Sequence, residues 1–499
     1  MSSSKTPYQL QPFIKDIARI ATTLTTIYKN IHIETEDVDE LYYVPSYYKI
    51  FLLYVYDLKQ QSNTTIQDEI NELPSYIKSI LDDVDGFNKL NDLDLSQKQL
   101  SALNILVEDK CSTILNQLQN LLLNNYEYLP TSIKKLNIPE EHLFLYNTFI
   151  SFDNLETIRE CCKYKLRVSY KYDAINHHFT LYLSKKDKMT LLKKNHTLLK
   201  EIATRIVFFN VFFNTTKTPI FSFYYNNLKK TLTLKLPLKL PPNKANHNKD
   251  PNLFKIRNKN VNTAATDVKT KIIIWRKEEL LKSVYHECVH FHKLDIDDRA
   301  FENKAATALQ NILNVSDTTE IFIREAYTEL IANFLNIITY ITIKLKKPAT
   351  ILLVNKYLNK EIKYSIETAA FILNYFKYTT FDDILKSTQH TNTIPYNQNT
   401  PSLSYYIIKS ALLHSIEKTL KLNNENTLEL KFNANSQTEF LNYVIELMSS
   451  THSNTWKQLV NKELTKLHKK YKKTKKKMKS KSKSKFKLTR TLRMTSLGY

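Results

Sequence analysis

Two histidines four residues apart, with a glutamate beside the first, are the residues in this chain best placed to act together: His286-Glu287-Cys288-Val289-His290. On a helix, positions i and i+4 share a face, so both imidazoles can aim a nitrogen at one point about 2.0–2.1 Å from each, the distance at which zinc binds histidine. Glu287 lies beside that point, within reach of a proton on a water polarised there. Cys288 and Val289 are uncharged, as an embedded helix requires, and Cys288 reads as a small buried hydrophobe rather than a nucleophile. The alternative is a surface helix whose histidines meet no metal.

A hydrolytic zinc site needs a third protein ligand and an open fourth position. The spacing HExxHxxGxxH fails, because Lys293 stands where its glycine belongs and Ile296 where its third histidine belongs. The other solution is a glutamate on a later helix. The segment 318–343 is apolar over most of its circumference, yet Glu325 and Glu329 share one face. Two carboxylates on such a helix are costly to bury unless paired or metal-bound. Glu325 as third ligand, with Glu329 accepting the spare N–H of a ligand histidine, resolves that cost. Pairing of both with surface lysines is the alternative.

Several elements must hold these groups. Lys271 to Trp275 (KIIIW) has no polar face and reads as a buried strand. Glu278 and Glu279 suit the first turn of a helix, and Leu280, Leu281, Val284 and Tyr285 supply its core positions. Tyr164–Tyr172 and Phe179–Leu183 read as a hairpin, 189–213 as helical, and 219–225 and 231–238 as strands. Strands first and helices afterwards point to an α+β fold. Residues 8–125 read as helical from the spacing of Ile14, Ile17, Ile20, Leu24 and Tyr28. The expected division is a helical domain (1–160), an α/β lobe (161–270), the HExxH helix with a helical lobe (271–460) and a disordered basic tail (461–499).

On these residues the chain resembles the gluzincin metallopeptidases. The strings Asn262-Thr263-Ala264-Ala265-Thr266, KIIIWRKEELLKSVYHECVHFHKLD, EAYTEL and SLSYYIIKSALL, spread over about 255–425, are more closely similar to uncharacterised zinc metallopeptidases of large DNA viruses infecting protists and algae. The resemblance implies a zincin-like unit (small sheet, active-site helix, then helical lobe), with His286, His290 and Glu325 as Zn2+ ligands and Glu287 as base. His292-Lys293 departs from the glycine-containing turn usual in the family, with Asp295 retained after it. A strand beside the active-site helix lets an extended peptide add by backbone pairing, and Asn262 and Thr263 are assigned to it. Oxyanion stabilisation calls for a Tyr, His or Arg near the open position. Among 31 tyrosines, Tyr405 and Tyr406 are the first choices, with Tyr327 and His414 behind them.

Composition narrows the remaining classes. The chain has 499 residues, 42% hydrophobic, and a formal charge of +23, enough for two or three packed units. Its two glycines, Gly86 and Gly498, exclude Gly-rich phosphate loops and with them dinucleotide enzymes, P-loop ATPases and kinases. Four cysteines, two of them adjacent, form neither a disulfide framework nor a Cys-x-x-Cys knuckle. MSSSKTPYQLQPF lacks the apolar run of a signal peptide, and Leu330 to Ile343 is too short to span a bilayer. The expected setting is intracellular, in host cytoplasm or nucleus or packaged in a virion, with no membrane. Fifteen Lys/Arg and no acid lie between Lys466 and Arg493. That run reads as a solvated tail, either merely solubilising or contacting nucleic acid or an acidic partner. Two functions follow. One is a zinc-dependent peptidase, a hydrolase acting on protein or peptide through a metal-activated water. The other is an inactive zincin-fold structural or virion-type protein that binds polyanions through its tail.

Overall fold

A six-stranded mixed sheet, with its β4 and β7 strands covered on both faces, organises the chain. In this computed structural model the described residues are 10–497, apart from 42–44, 62–65, 139, 148, 195, 236–253, 297, 316–318, 387–394, 423–433, 450–454 and 479–486. Helix α1 (Ile14–Asn30) leads into strand β1 (His32–Leu41), and helix α2 (Tyr47–Gln60) opens a set of short helices that includes α3 (Gln97–Lys110) and α4 (Ser112–Asn124). Strands β2 (Tyr164–Tyr172) and β3 (Ile175–Leu183) form the expected hairpin. Helix α5 (His196–Phe212) follows, then β4 (Ile220–Tyr225), β5 (Thr231–Lys235), β6 (Ala264–Asp267) and β7 (Lys271–Ile274). The remainder is helical, with α6 (Leu280–Phe291), α7 (Ile323–Thr339), α8 (Ile351–Tyr375) and α9 (Thr455–Met478), until β8 (Lys487–Thr491). Among the described residues no helix is long and apolar enough to cross a membrane.

The strand order is β1-β2-β3-β4-β7-β6, parallel at β3–β4 and β4–β7 and antiparallel elsewhere. Alternation along the strands sorts the two cores. Ile272 and Ile274 of β7, with Leu181 and Leu183 of β3, pack with α1 and α5–α8. Ile273, Trp275, Tyr182 and Tyr224 pack on the opposite side with the helical unit of 47–162. KIIIW therefore lacks a polar face because both of its faces are covered.

Three expectations need correction. Residues 1–160 are not one helical domain: α1 lies in the core with α5, and β1 is an edge strand of the sheet. The acidic residues of HIETEDVDEL hid that strand, since Asp and Glu are poor strand formers, though they suit an unpaired edge. Residues 461–499 are not a uniformly disordered tail either, although 479–486 lie outside the described residues. Helix α9 continues to Met478, β8 pairs antiparallel with β5, and Leu492, Met494 and Thr495 are buried. The apolar residues Leu488, Leu492, Met494 and Leu497, sparse among lysines, were the missed signal. Glu278 and Glu279 lie in a 3-10 turn, Lys277–Glu279, just before α6, and both are buried.

Helix α6 ends where a glycine is lacking. Lys293 takes a left-handed conformation (φ 51°). Its N–H bonds the His290 carbonyl at 3.0 Å, and Leu294 N–H bonds the Val289 carbonyl at 3.0 Å, which together make a Schellman termination. Lysine there carries a left-handed cost of roughly 1–2 kcal/mol, against a conformational-entropy cost for glycine of about 0.5–1 kcal/mol. Lys293→Gly is expected to stabilise the chain by about 0.5–1 kcal/mol, read as a raised denaturant midpoint at unchanged slope. A lowered midpoint would show that contacts of the lysine side chain outweigh its strain.

Candidate metal centre

Helix α6 is buried on almost every side between α5 and α7. Tyr285 fixes its rotation: the phenol meets Thr339 Oγ1 of α7 at 2.5 Å, and its ring packs on Phe208 and Phe209 of α5. The following residue, His286, and His290 one turn on then face α7, with ring centroids 4.7 Å apart.

The two imidazoles and Glu325 converge. His290 Nε2 lies 3.1 Å from His286 Nε2, and Glu325 Oε2 lies 3.4 Å from His286 Nε2 and 3.3 Å from His290 Nε2. Three tetrahedral ligands about 2.0–2.1 Å from one ion would stand about 3.3–3.4 Å from each other. This trio is the metal-capable His/Cys/Asp/Glu group found among the described residues.

The outer nitrogens explain why the inner ones can bind a cation. His290 Nδ1 is 2.6 Å from Asp295 Oδ2, which also accepts a 3.3 Å bond from Thr328 Oγ1. His286 Nδ1 is 2.9 Å from Glu329 Oε1, an ion-pair contact off the hydrogen-bond direction. Protons held on the Nδ1 side leave Nε2 lone pairs facing a carboxylate oxygen, an arrangement that repels itself until a positive charge enters. The charge balance among these side chains expresses the same demand. Burial alone would raise Glu325, but His290 and His286 hold it well below its ordinary range. Burial alone would lower His290, yet Glu325 and Asp295 raise it well above its usual value. Glu329 is likewise held low against burial, by Lys282 at 2.5 Å and by His286. The donor set fits a zinc-sized cation.

Glu287 points into the same cavity. Its Oε2 accepts a 2.6 Å bond from Thr266 Oγ1 of β6, and its Oε1 lies 3.9 Å from His286 Nε2. Tyr405 also lines the cavity, with its ring 6.1 Å from that of His286. Burial, followed by Glu325 and Glu287, pushes its phenol well above the usual range, so it stays a donor. The cavity, of about 160 Å³, is bounded on one side by Ala264, Ala265 and Thr266 of β6.

Other expected residues lie elsewhere or play different parts. Tyr406 faces away, its hydroxyl donating to the Leu492 carbonyl at 2.6 Å. Tyr327 packs on Phe440, and His414 lines a separate surface cleft. His292 stacks on Phe209, with its pKa lowered to about 4 by burial and then by Lys217. Asn262 and Thr263 touch the cavity but precede the strand that runs along it. The Asn262 side chain is spent on the Phe149 carbonyl and on Thr400, and the Thr263 carbonyl accepts from Trp275 N–H. Sequence reasoning gave no role to Asp295, Thr266, Lys282 or Arg324, the last of which lines the cavity with its Nε 3.9 Å from Glu325 Oε1. Asp295 could have been found as the carboxylate that the turn at Lys293 returns toward His290; no comparable signal marks the other three.

No family model matches the chain, and no solved structure matches it. An uncharacterized protein of Acanthamoeba polyphaga mimivirus is 28% identical over 190 residues, covering 36% of this chain and 46% of that protein. The chain thus matches about half the length of this curated relative, and a relative in a large DNA virus accords with the viral likeness of its motifs.

Asp295→Ala removes the partner that fixes His290. Zinc affinity, measured by competition with a chromophoric chelator, is expected to fall about 10–100-fold. Unchanged affinity would mean that Asp295 does not orient a ligand.

Proposed function

We propose that the chain is a zinc-dependent peptidase of gluzincin type, built on a zincin-like unit formed by the sheet, α6 and α7. The observation that carries this reading is the meeting of His286, His290 and Glu325 at 3.1–3.4 Å, with Glu287 in the same cavity. A zinc ion held by these three residues would polarise a peptide carbonyl and bring the pKa of a water to about 7.

The chain's own residues supply the rest. Glu287, oriented by Thr266, takes a proton from the attacking water and returns it to the leaving amine. Tyr405, kept protonated, donates to the carbonyl oxygen as negative charge develops. The outer edge of β6, which has no strand partner among the described residues, aligns an extended peptide by backbone pairing. The basic run is proposed as a polyanion contact through its helical part, where Lys469 and Lys470 are exposed. Arg490 does not belong to that surface, because it pairs with Glu367 at 3.4 Å.

Glu287→Gln is expected to retain zinc and to lose about 10²–10⁴-fold in cleavage of a peptide library. Wild-type protein that holds no zinc, or cleavage unchanged in the variant, would sink the proposal. Tyr405→Phe is expected to lower kcat about 10²–10³-fold with KM little altered; equal kcat would remove Tyr405 from the mechanism.

A further inference from the structure

Behind the metal centre lies a wall of buried charge that α6 and α7 do not satisfy by themselves. Lys230 pairs with Glu279 at 2.5 Å and Lys282 with Glu329 at 2.5 Å, each side chain at most 3% exposed. Glu361 of α8 and Lys409 are buried as well, each 1% exposed. Lys282 and Lys230 also line the metal cavity. Unlike charges without enough partners in such a wall would rearrange or draw in water.

The residues after β8 complete it. Leu492 N–H donates to the Lys230 carbonyl at 2.8 Å. The backbone N–H groups of Met494 and Thr495 both donate to Glu279 Oε1. Glu361 Oε1 accepts from the hydroxyls of Thr495 and Ser496 at 2.8 and 2.7 Å, and from the backbone of Ser496 and Leu497 at 2.9 and 3.1 Å. Lys409 Nζ donates to the Met494 carbonyl at 3.1 Å, and Tyr406 closes the strap at Leu492. Met494 reaches furthest: its Sδ is 3.8 Å from Lys282 Nζ, and its side chain lines the metal cavity.

We infer that residues 492–497 are a positioning element for the metal ligands, acting through Glu279 and Lys282 on Glu329 and so on His286. Seated, the segment gives Glu279 and Glu361 donors of their own, which leaves Lys282 to Glu329 and Glu329 to His286. Unseated, it strips both carboxylates of those donors and admits water behind Lys282. Lys230, Lys282 and Lys409 then redistribute among three acids, and His286 loses the fixed partner of its Nδ1. The inference rests on the reading of the centre as a zinc site, and it adds a part of the chain that supplies no metal ligand.

The test compares zinc affinity, by chelator competition, in the full chain and in full-length Glu361→Leu, whose substitution cuts the anchor on α8 at a distance from the ligands. Loss of an orienting partner typically costs 10–100-fold in metal affinity, so a drop of at least tenfold is expected, with helicity by circular dichroism unchanged. A chain ending at Phe486 should show the same loss, and a synthetic 487–499 peptide added in trans should restore binding. Zinc held as tightly in Glu361→Leu as in the full chain overturns the inference, as does a loss that merely tracks loss of fold. A full chain that takes up no zinc defeats the peptidase reading and this inference together. Zinc bound with no peptide cut, but released on unseating, defeats the peptidase reading alone.

Discussion

Lone pairs facing one another across about 3 Å in a largely buried site are unstable unless positive charge lies between them, and the centre of this molecule is arranged to hold three of them there. His286, His290 and Glu325 come from two helices and are kept in place by groups outside the trio: Asp295 behind one ring, Glu329 behind the other. Glu329 in turn needs Lys282. The arrangement is a chain of dependence in which each buried charge is tolerable only because the next is present. Such networks cost stability when incomplete, which accounts for how far the supporting residues are spread through the sequence.

The sheet supplies the rigidity that the network requires. Burial of β7 on both faces fixes the start of α6, because only Trp275, Arg276 and the turn Lys277–Glu279 separate the two elements. Strand β6 is held against β7 through the register Ala265↔Ile273, and this sets Thr266 beside Glu287. The helical unit of 47–162 covers the opposite face. It contributes no ligand, but without it Ile273 and Trp275 would be exposed and β7 would lose its placement.

What the sequence made legible was local. HExxH, the shared face of Glu325 and Glu329, and the double-sided apolar run of β7 are short patterns read from spacing alone; the structure brings His286, His290 and Glu325 together and buries β7 on both faces. Non-local features were hidden. Nothing in Thr266 or Lys282 announces that a strand and a helix will bring them to the site, because partners across folded elements leave no spacing to read. The lysine-rich final stretch misled for a different reason: composition outweighs a few apolar residues when a face is sought, yet Leu492 and Met494 suffice to anchor a strap once buried carboxylates await its backbone. Tyr405 and Tyr406 show the limit within one dipeptide. Adjacent on one turn, they diverge, Tyr405 to the cavity and Tyr406 to the Leu492 carbonyl, and only packing decides which reaches the cavity.

The brevity of β6 carries a consequence for what this cleft can admit. Four residues span about 13 Å at roughly 3.3 Å each, and an edge of that length has room to pair with one short extended segment. On the proposed reading, intact domains, whose strands already have neighbours, would be refused by shape, whereas loose ends and unravelled loops would fit. Selection by such an edge would operate on how far a peptide substrate has come undone rather than on the identity of its residues.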